Sequence, residues 1–168
     1  MLTGGTLMST VKEVLTNGFV GMKKRLYIDV CTLCRPYDDQ SLLPIRLETD
    51  AYYLIMNHIN QGRYVVVGSP VHFAEVADIS DVYQRVEVEQ LLERFHVKAN
   101  YTAVVRERAE SLVRSRFGIA DAAHVAFAEG SADVFITCDK VLIKRCRTSR
   151  VKMEVYSPVE FVMKEELR

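Results

Sequence analysis

The amino-acid sequence predicts a three-layer α/β/α fold built on a central, mostly parallel sheet. Three observations carry that expectation. Short β-branched and aromatic runs, RLYIDV at 25–30, YVVV at 64–67 and DVFIT at 133–137, alternate with longer segments of helical periodicity. Nearly continuous apolar runs suit strands covered on both faces, and strands joined through helices return by right-handed crossovers to lie parallel. At 168 residues the chain can bury one good core but is short for two ordinary domains.

The elements follow in order. Residues 1–21 contain only Lys12 as a base and lack a compact apolar stretch, so they do not have the form of a secretory signal. They are expected to be a leader or upstream start, with the domain running over 22–168. A helical arm over 8–16 that contacts a partner is the alternative. Arg25–Val30 is the first strand, and RPYDDQSLL at 35–43 is a polar loop. Apolar positions Ile45, Leu47, Ala51, Leu54, Ile55 and Ile59 step by three and four, predicting a helix over 44–61 with Pro44 in its first turn and Gly62 at its end. Tyr64–Val67 is a strand stopped by Gly68, and Ser69-Pro70 opens a helix to about Ala77. Asp81 caps a helix over 82–95 that turns Val82, Val86, Leu91, Leu92 and Phe95 inward. Val97–Tyr101 is a weak strand. Thr102 caps a helix to Arg116, and the alanine-rich stretch 119–128 is a helix closed by Gly130. The strand at 133–137, a helix over 140–147, a last strand at 151–155 and a helix over 158–165 complete the pattern.

Composition narrows the class. Hydrophobic residues at 49% and charged residues at 26% fit a globular chain and argue against disorder. Lys plus Arg and Asp plus Glu each total 22, so net charge nominates no partner, although a basic patch beside an acidic pocket remains compatible with nucleic acid. No run approaches the roughly 18 apolar residues of a membrane helix. Four cysteines without an export signal are expected as reduced thiols in the cytoplasm.

Ligands of parallel α/β sheets bind beyond the carboxyl ends of the strands. Four acids from distant segments fall there: Asp29 ends the first strand, Glu75 lies on the helix after the second, Asp121 opens the alanine-rich helix, and Asp139 follows DVFIT. Carboxylates are hard oxygen donors suited to Mg²⁺ or Mn²⁺, and clustered acids need a cation to offset their repulsion. Such a site suits phosphodiester chemistry.

LYIDVCTL at 26–33, SPVHFAEV at 69–76, GIADAAHVAFA at 118–128 and ADVFITCDKVLIKR at 132–145 resemble the successive motifs of PIN-domain proteins, a family that includes the VapC toxins. The resemblance spans roughly Lys24 to Phe161. It implies a PIN-like fold and an endoribonuclease whose metal ligands are Asp29, Glu75, Asp121 and Asp139, with Thr137 holding a carboxylate or water from behind. It further implies RNA as substrate, a homodimer and a small antitoxin as partner. Lys140 stands where many relatives carry another acid, which weakens the case for a second metal.

Each residue also has a plainer reading. Asp121 and Asp139 could serve only as helix caps, and Asp29 and Glu75 could be solvated. Glu48 is expected at the surface or paired with an arginine, Asp38 and Asp39 in solvated loop, and Asp133 in a turn. His124, one helical turn beyond Asp121, could face the pocket or orient a ligand, but is expected to pack or hydrogen-bond in the core. Cys31 and Cys34 form a C-x-x-C, but Arg35-Pro36 breaks the chain after it, so packing thiols are favoured over redox or zinc use. The basic stretch Lys140, Lys144, Arg145, Arg147, Arg150 and Lys152, with Arg35, could contact phosphates or be a solvated face. Besides the nuclease, a PIN-like module that binds RNA or protein without cleavage is the main alternative. A receiver-like doubly wound domain is a more remote one.

Overall fold

The computed structural model describes residues 23–168; the expectations for residues 1–21, leader or helical arm, lie outside the described residues. Five parallel strands form one sheet in the order β3-β2-β1-β4-β5, with β1 at Arg25–Ile28, β2 at Val65–Gly68, β3 at Val97–Lys98, β4 at Val134–Ile136 and β5 at Glu154–Tyr156. The helices are α1 (Val30–Leu33), α2 (Leu43–Asn60), α3 (Pro70–Ala77), α4 (Val82–Glu93), α5 (Ala103–Arg114), α6 (Ile119–Ser131), α7 (Lys140–Thr148) and α8 (Pro158–Lys164), with a 3₁₀ turn at Arg35–Tyr37.

Side chains alternate across the strands and so feed two cores. Leu26, Ile28, Val66, Val134 and Ile136 face Tyr52, Ile55 and Ile59 of α2, Val88 and Leu92 of α4, and Phe161 of α8. Tyr27, Val67, Phe135 and Val155 face the other way, onto Leu112 of α5, Ala122, Val125 and Ala126 of α6, and Leu142 and Cys146 of α7. Burying a side chain of this size contributes about 1.5–3 kcal/mol, so both faces must be covered for the sheet to stand.

The expected caps hold. The Asp81 Oδ1 accepts from the Gln84 amide at 2.9 Å, and the Thr102 Oγ1 accepts from the Val105 amide at 3.2 Å. Gly68 is the last residue of β2, paired with Lys98, so the strand ends there as expected. Three expectations are corrected. Gly130 lies within α6, because the helical ladder continues through the Ala132 amide onto the Ala128 carbonyl. On α4 the inward residues are Val88 and Leu92, one turn apart, while Val82 and Val86 are exposed on the flank. The last strand begins at Glu154, three residues later than expected, since the chain turns after α7 through Arg150 at φ 51°.

Candidate metal centre at the carboxyl edge of the sheet

The first strand stops one residue before Asp29. Its backbone amide still bonds to the Ile136 carbonyl of β4 at 2.9 Å, while its own carbonyl accepts from the Thr32 amide at 2.9 Å and starts α1. Asp29 is thereby fixed at the strand-to-helix junction, 6% exposed. Thr137, one residue past β4, donates its hydroxyl to Asp29 Oδ2 at 2.6 Å and accepts from the Asp139 amide at 3.1 Å. The Cys31 thiol also donates to Asp29 Oδ2, at 3.1 Å. Its pKa is raised well above the ordinary thiol value, first by its hydrogen bond with Cys138 and then by burial, so it remains a donor. Asp29 Oδ2 is therefore held from two sides.

Glu75 projects from α3, two turns past the Ser69 cap, with its side chain 33% exposed. Its Oε2 meets His124 Nε2 at 2.9 Å, and the same nitrogen lies 3.8 Å from Asp29 Oδ1. One ligand-type atom from each of Asp29, Glu75 and His124 lies within 4.8 Å of the others, which among the described residues is the one such group close enough to share an ion.

Asp121 and Asp139 stand outside that tight group. Asp139 caps α7, its Oδ1 accepting from the Val141 and Leu142 amides at 2.7 and 2.9 Å. Asp121 lies in the first turn of α6. Its pKa is raised, chiefly by burial and then by the negative charges of Asp139 and Asp29, with His124 and Arg145 opposing. Asp121 thus feels the negative charge of Asp139 and Asp29. A donor set of clustered carboxylate oxygens fits a hard divalent cation.

His124 is 2% exposed and sits in a continuous buried relay. Its Nδ1 meets the Tyr27 hydroxyl at 2.8 Å, Tyr27 meets Ser69 Oγ at 2.6 Å, and Ser69 Oγ meets His72 Nδ1 at 3.0 Å. At the far end His72 Nε2 lies 2.8 Å from the Ile28 carbonyl. The direction of the protons follows from that end. A carbonyl can only accept, so His72 Nε2 carries hydrogen and Nδ1 is the acceptor, receiving the Ser69 amide at 3.1 Å. Ser69 Oγ and the Tyr27 hydroxyl carry the chain on to His124 Nδ1. Facing a carboxylate, His124 Nε2 is the donor to Glu75 Oε2. Burial alone would push the His124 pKa down, but the hydrogen bond to Glu75 and the charges of Asp29, Glu75 and Asp121 outweigh it and raise it.

The remaining candidates divide. Glu48 is buried and ion-paired, 2.8 Å from Arg35 Nε, although the N–H direction misses the oxygen. Arg35 also donates to Asp38 at 2.7 Å, so it is committed within the fold and does not offer a free phosphate contact, and Asp38 is paired where plain solvation was expected. Asp39 accepts from the Ser41 amide at 3.0 Å, and Asp133 from the Arg25 amide at 2.7 Å. Cys31 belongs to the site and is more than a packing thiol. Of the basic stretch, Arg147 bonds Glu160 and the Val155 carbonyl, whereas Lys140, Lys144 and Arg145 are exposed on α7. Sequence reasoning missed the relay. Its signal was present: Tyr27 is the one polar-tipped side chain among the buried residues of β1, and Ser69 and His72 lie at the same edge.

No family model matches the chain, and no curated protein does. Among solved structures, a chain of VapBC2 from Rickettsia felis bound to a DNA fragment from their promoter superposes with a TM-score of 0.51 at 14% identity, covering 79% of this chain and 98% of that one. FitAcB from Neisseria gonorrhoeae gives 0.48 at 16% identity, covering 79% and 97%. FitAB bound to an IR36 DNA fragment gives 0.49 at 15% identity, covering 80% and 95%. At such identities the likeness is one of fold, and it agrees with the strand order described above. The chain has the PIN-like α/β fold.

Proposed function

We propose that the protein is a Mg²⁺- or Mn²⁺-dependent endoribonuclease of PIN type, with Asp29, Glu75, Asp121 and Asp139 holding the cation. The observation that carries this reading is the convergence of Asp29 and Glu75, from two separate βα units, on one buried histidine, with a ligand-type atom of each within 4.8 Å of the others. Thr137 and Cys31 keep Asp29 Oδ2 oriented, so that Oδ1 faces the cluster. Asp139 spends one oxygen on the helix cap and has the other available. The chemistry such a cation supplies when bound is neutralisation of a phosphate oxygen and activation of water. Exposed Lys140, Lys144 and Arg145 would receive the RNA backbone beside the acids, and that contact weakens with salt. His124 is too deeply buried to touch substrate and acts on Glu75.

The proposal extends to a homodimer acting in the cytoplasm and to a small antitoxin as partner, supported by the resemblance of the motifs; among the described residues no helix is long and apolar enough to cross a membrane. A second reading, a PIN-like module that binds RNA or protein without cleaving it, draws on Glu75 Oε2 being already engaged by His124 Nε2 at 2.9 Å. Incubation with structured RNAs with and without Mn²⁺ separates the two. The nuclease reading expects Mn²⁺-dependent cleavage by the parent and none by Asp29→Asn at unchanged melting behaviour. A folded parent that binds RNA and never cuts it supports the module.

A further inference from the structure

We infer that Tyr27 is a positioning residue of this site: through its hydroxyl it fixes the His124 ring, and through that ring the Glu75 carboxylate. The inference rests on the reading of Glu75 as a metal ligand. Glu75 is the most mobile member of the Asp29–Glu75–His124 group by construction, a long side chain reaching from a helix with a third of its surface exposed. The contact that orients Oε2 is His124 Nε2 at 2.9 Å. An imidazole ring bound on one nitrogen can still tilt about that bond. Binding the second nitrogen removes the freedom, and the Tyr27 oxygen at 2.8 Å does so.

Tyr27 is in turn immobile for reasons unrelated to the site. It is fully buried in the central strand, wedged between His72, with ring centroids 4.5 Å apart, and Phe135, at 5.6 Å. Its hydroxyl is hydrogen-bonded to Ser69 Oγ, which in turn meets His72 Nδ1, and the other nitrogen of His72 is tied to the Ile28 carbonyl. Ile28 immediately precedes Asp29. The relay therefore begins on the backbone beside one acid and ends on the carboxylate of another, coupling both to the rigid sheet.

The test is Mn²⁺ affinity by titration calorimetry on the full chain, with melting curves to verify folding. Tyr27→Phe keeps the ring and removes only the hydroxyl; it is expected to weaken Mn²⁺ binding by about 10–100-fold, the usual effect of losing an outer partner of a ligand. In a Glu75→Ala background the same substitution is expected to cost almost nothing, because no carboxylate remains to be positioned. A merely structural role would give the same loss in both backgrounds and would overturn the inference, as would Tyr27→Phe binding like the parent. Should Tyr27→Phe fail to fold, Ser69→Ala removes the hydroxyl that holds the Tyr27 oxygen at 2.6 Å and is expected to weaken binding in the same direction by a smaller factor; parental affinity there overturns the inference. A folded parent that binds no Mn²⁺ instead ends the metal-site reading itself and takes this inference with it.

Discussion

Replacing His72 with glutamine exposes the buried relay to a thermodynamic test that needs no metal and no substrate. Burial, and after it the neighbouring His124 charge, pushes the His72 pKa down from 6.5 to about 4. His72 is neutral in the folded chain, whereas in the unfolded chain it charges near its ordinary value. Between those two values the unfolded state holds more protons, so folding stability falls as pH drops through the window. At about 1.4 kcal/mol per pH unit the full gap is worth about 3 kcal/mol, and about 2 kcal/mol of it is lost between pH 7 and pH 5. Glutamine suits the third helical position, where it can still accept from the Ser69 amide as His72 does at 3.1 Å. His124, with its raised pKa, carries the opposite sign, its contribution being complete at low pH and fading as pH rises. Subtracting the two proteins cancels it. The assay is urea unfolding at half-unit steps from pH 4 to 7.5. The His72→Gln protein is expected to be less stable at neutral pH, having lost the bond to the Ile28 carbonyl, and to close much of that deficit toward pH 4. Parallel stability curves across the window would refute the neutral, buried His72 from which the proton directions of the relay were derived.

Two further outcomes test the frame around the site. Glu129 is nearly fully buried and takes both Arg108, with Nη2 to Oε1 at 3.0 Å, and the Lys152 amide at 3.0 Å, so Arg108→Ala strands a carboxylate. A loss of about 3 kcal/mol is expected in urea unfolding; a change within experimental error would show that water reaches Glu129. Gly62 ends α2 with φ +75°, and an added Cβ would meet only the Lys23 Nζ at 3.4 Å. Gly62→Ala is expected to cost about 1 kcal/mol from backbone strain alone, read by the same unfolding curves, and a stabilising effect would contradict that.

How much of this was legible depended on whether a signal was local. Caps at Asp81 and Thr102 and Pro70 after Ser69 announce themselves within a few residues, and the structure carries all three. The alternation of apolar runs with helical periods gave the parallel sheet. Glycine marked a true stop at Gly68, the last residue of β2, but misled at Gly130, which sits inside α6 because the helical ladder continues past it. Val82 and Val86 looked inward on periodicity, yet α4 is so rich in charge that only Val88 and Leu92 decide its buried stripe. Asp29 and Glu75 could be nominated because strand ends are where ligands bind. His124, one turn beyond Asp121, could be named as a residue facing the pocket, but its bond to Glu75 could not, since residues 49 apart meet only through packing of α6 against α3.

The central claim is that the acids at the carboxyl edge of the sheet share a divalent cation. Diffraction from crystals grown with Mn²⁺, measured at the manganese absorption edge, addresses it directly. The account predicts an anomalous peak within about 2.2 Å of oxygens of Asp29 and at least one other of Glu75, Asp121 and Asp139. A manganese peak elsewhere, with this cluster carrying none at saturating Mn²⁺, would contradict it.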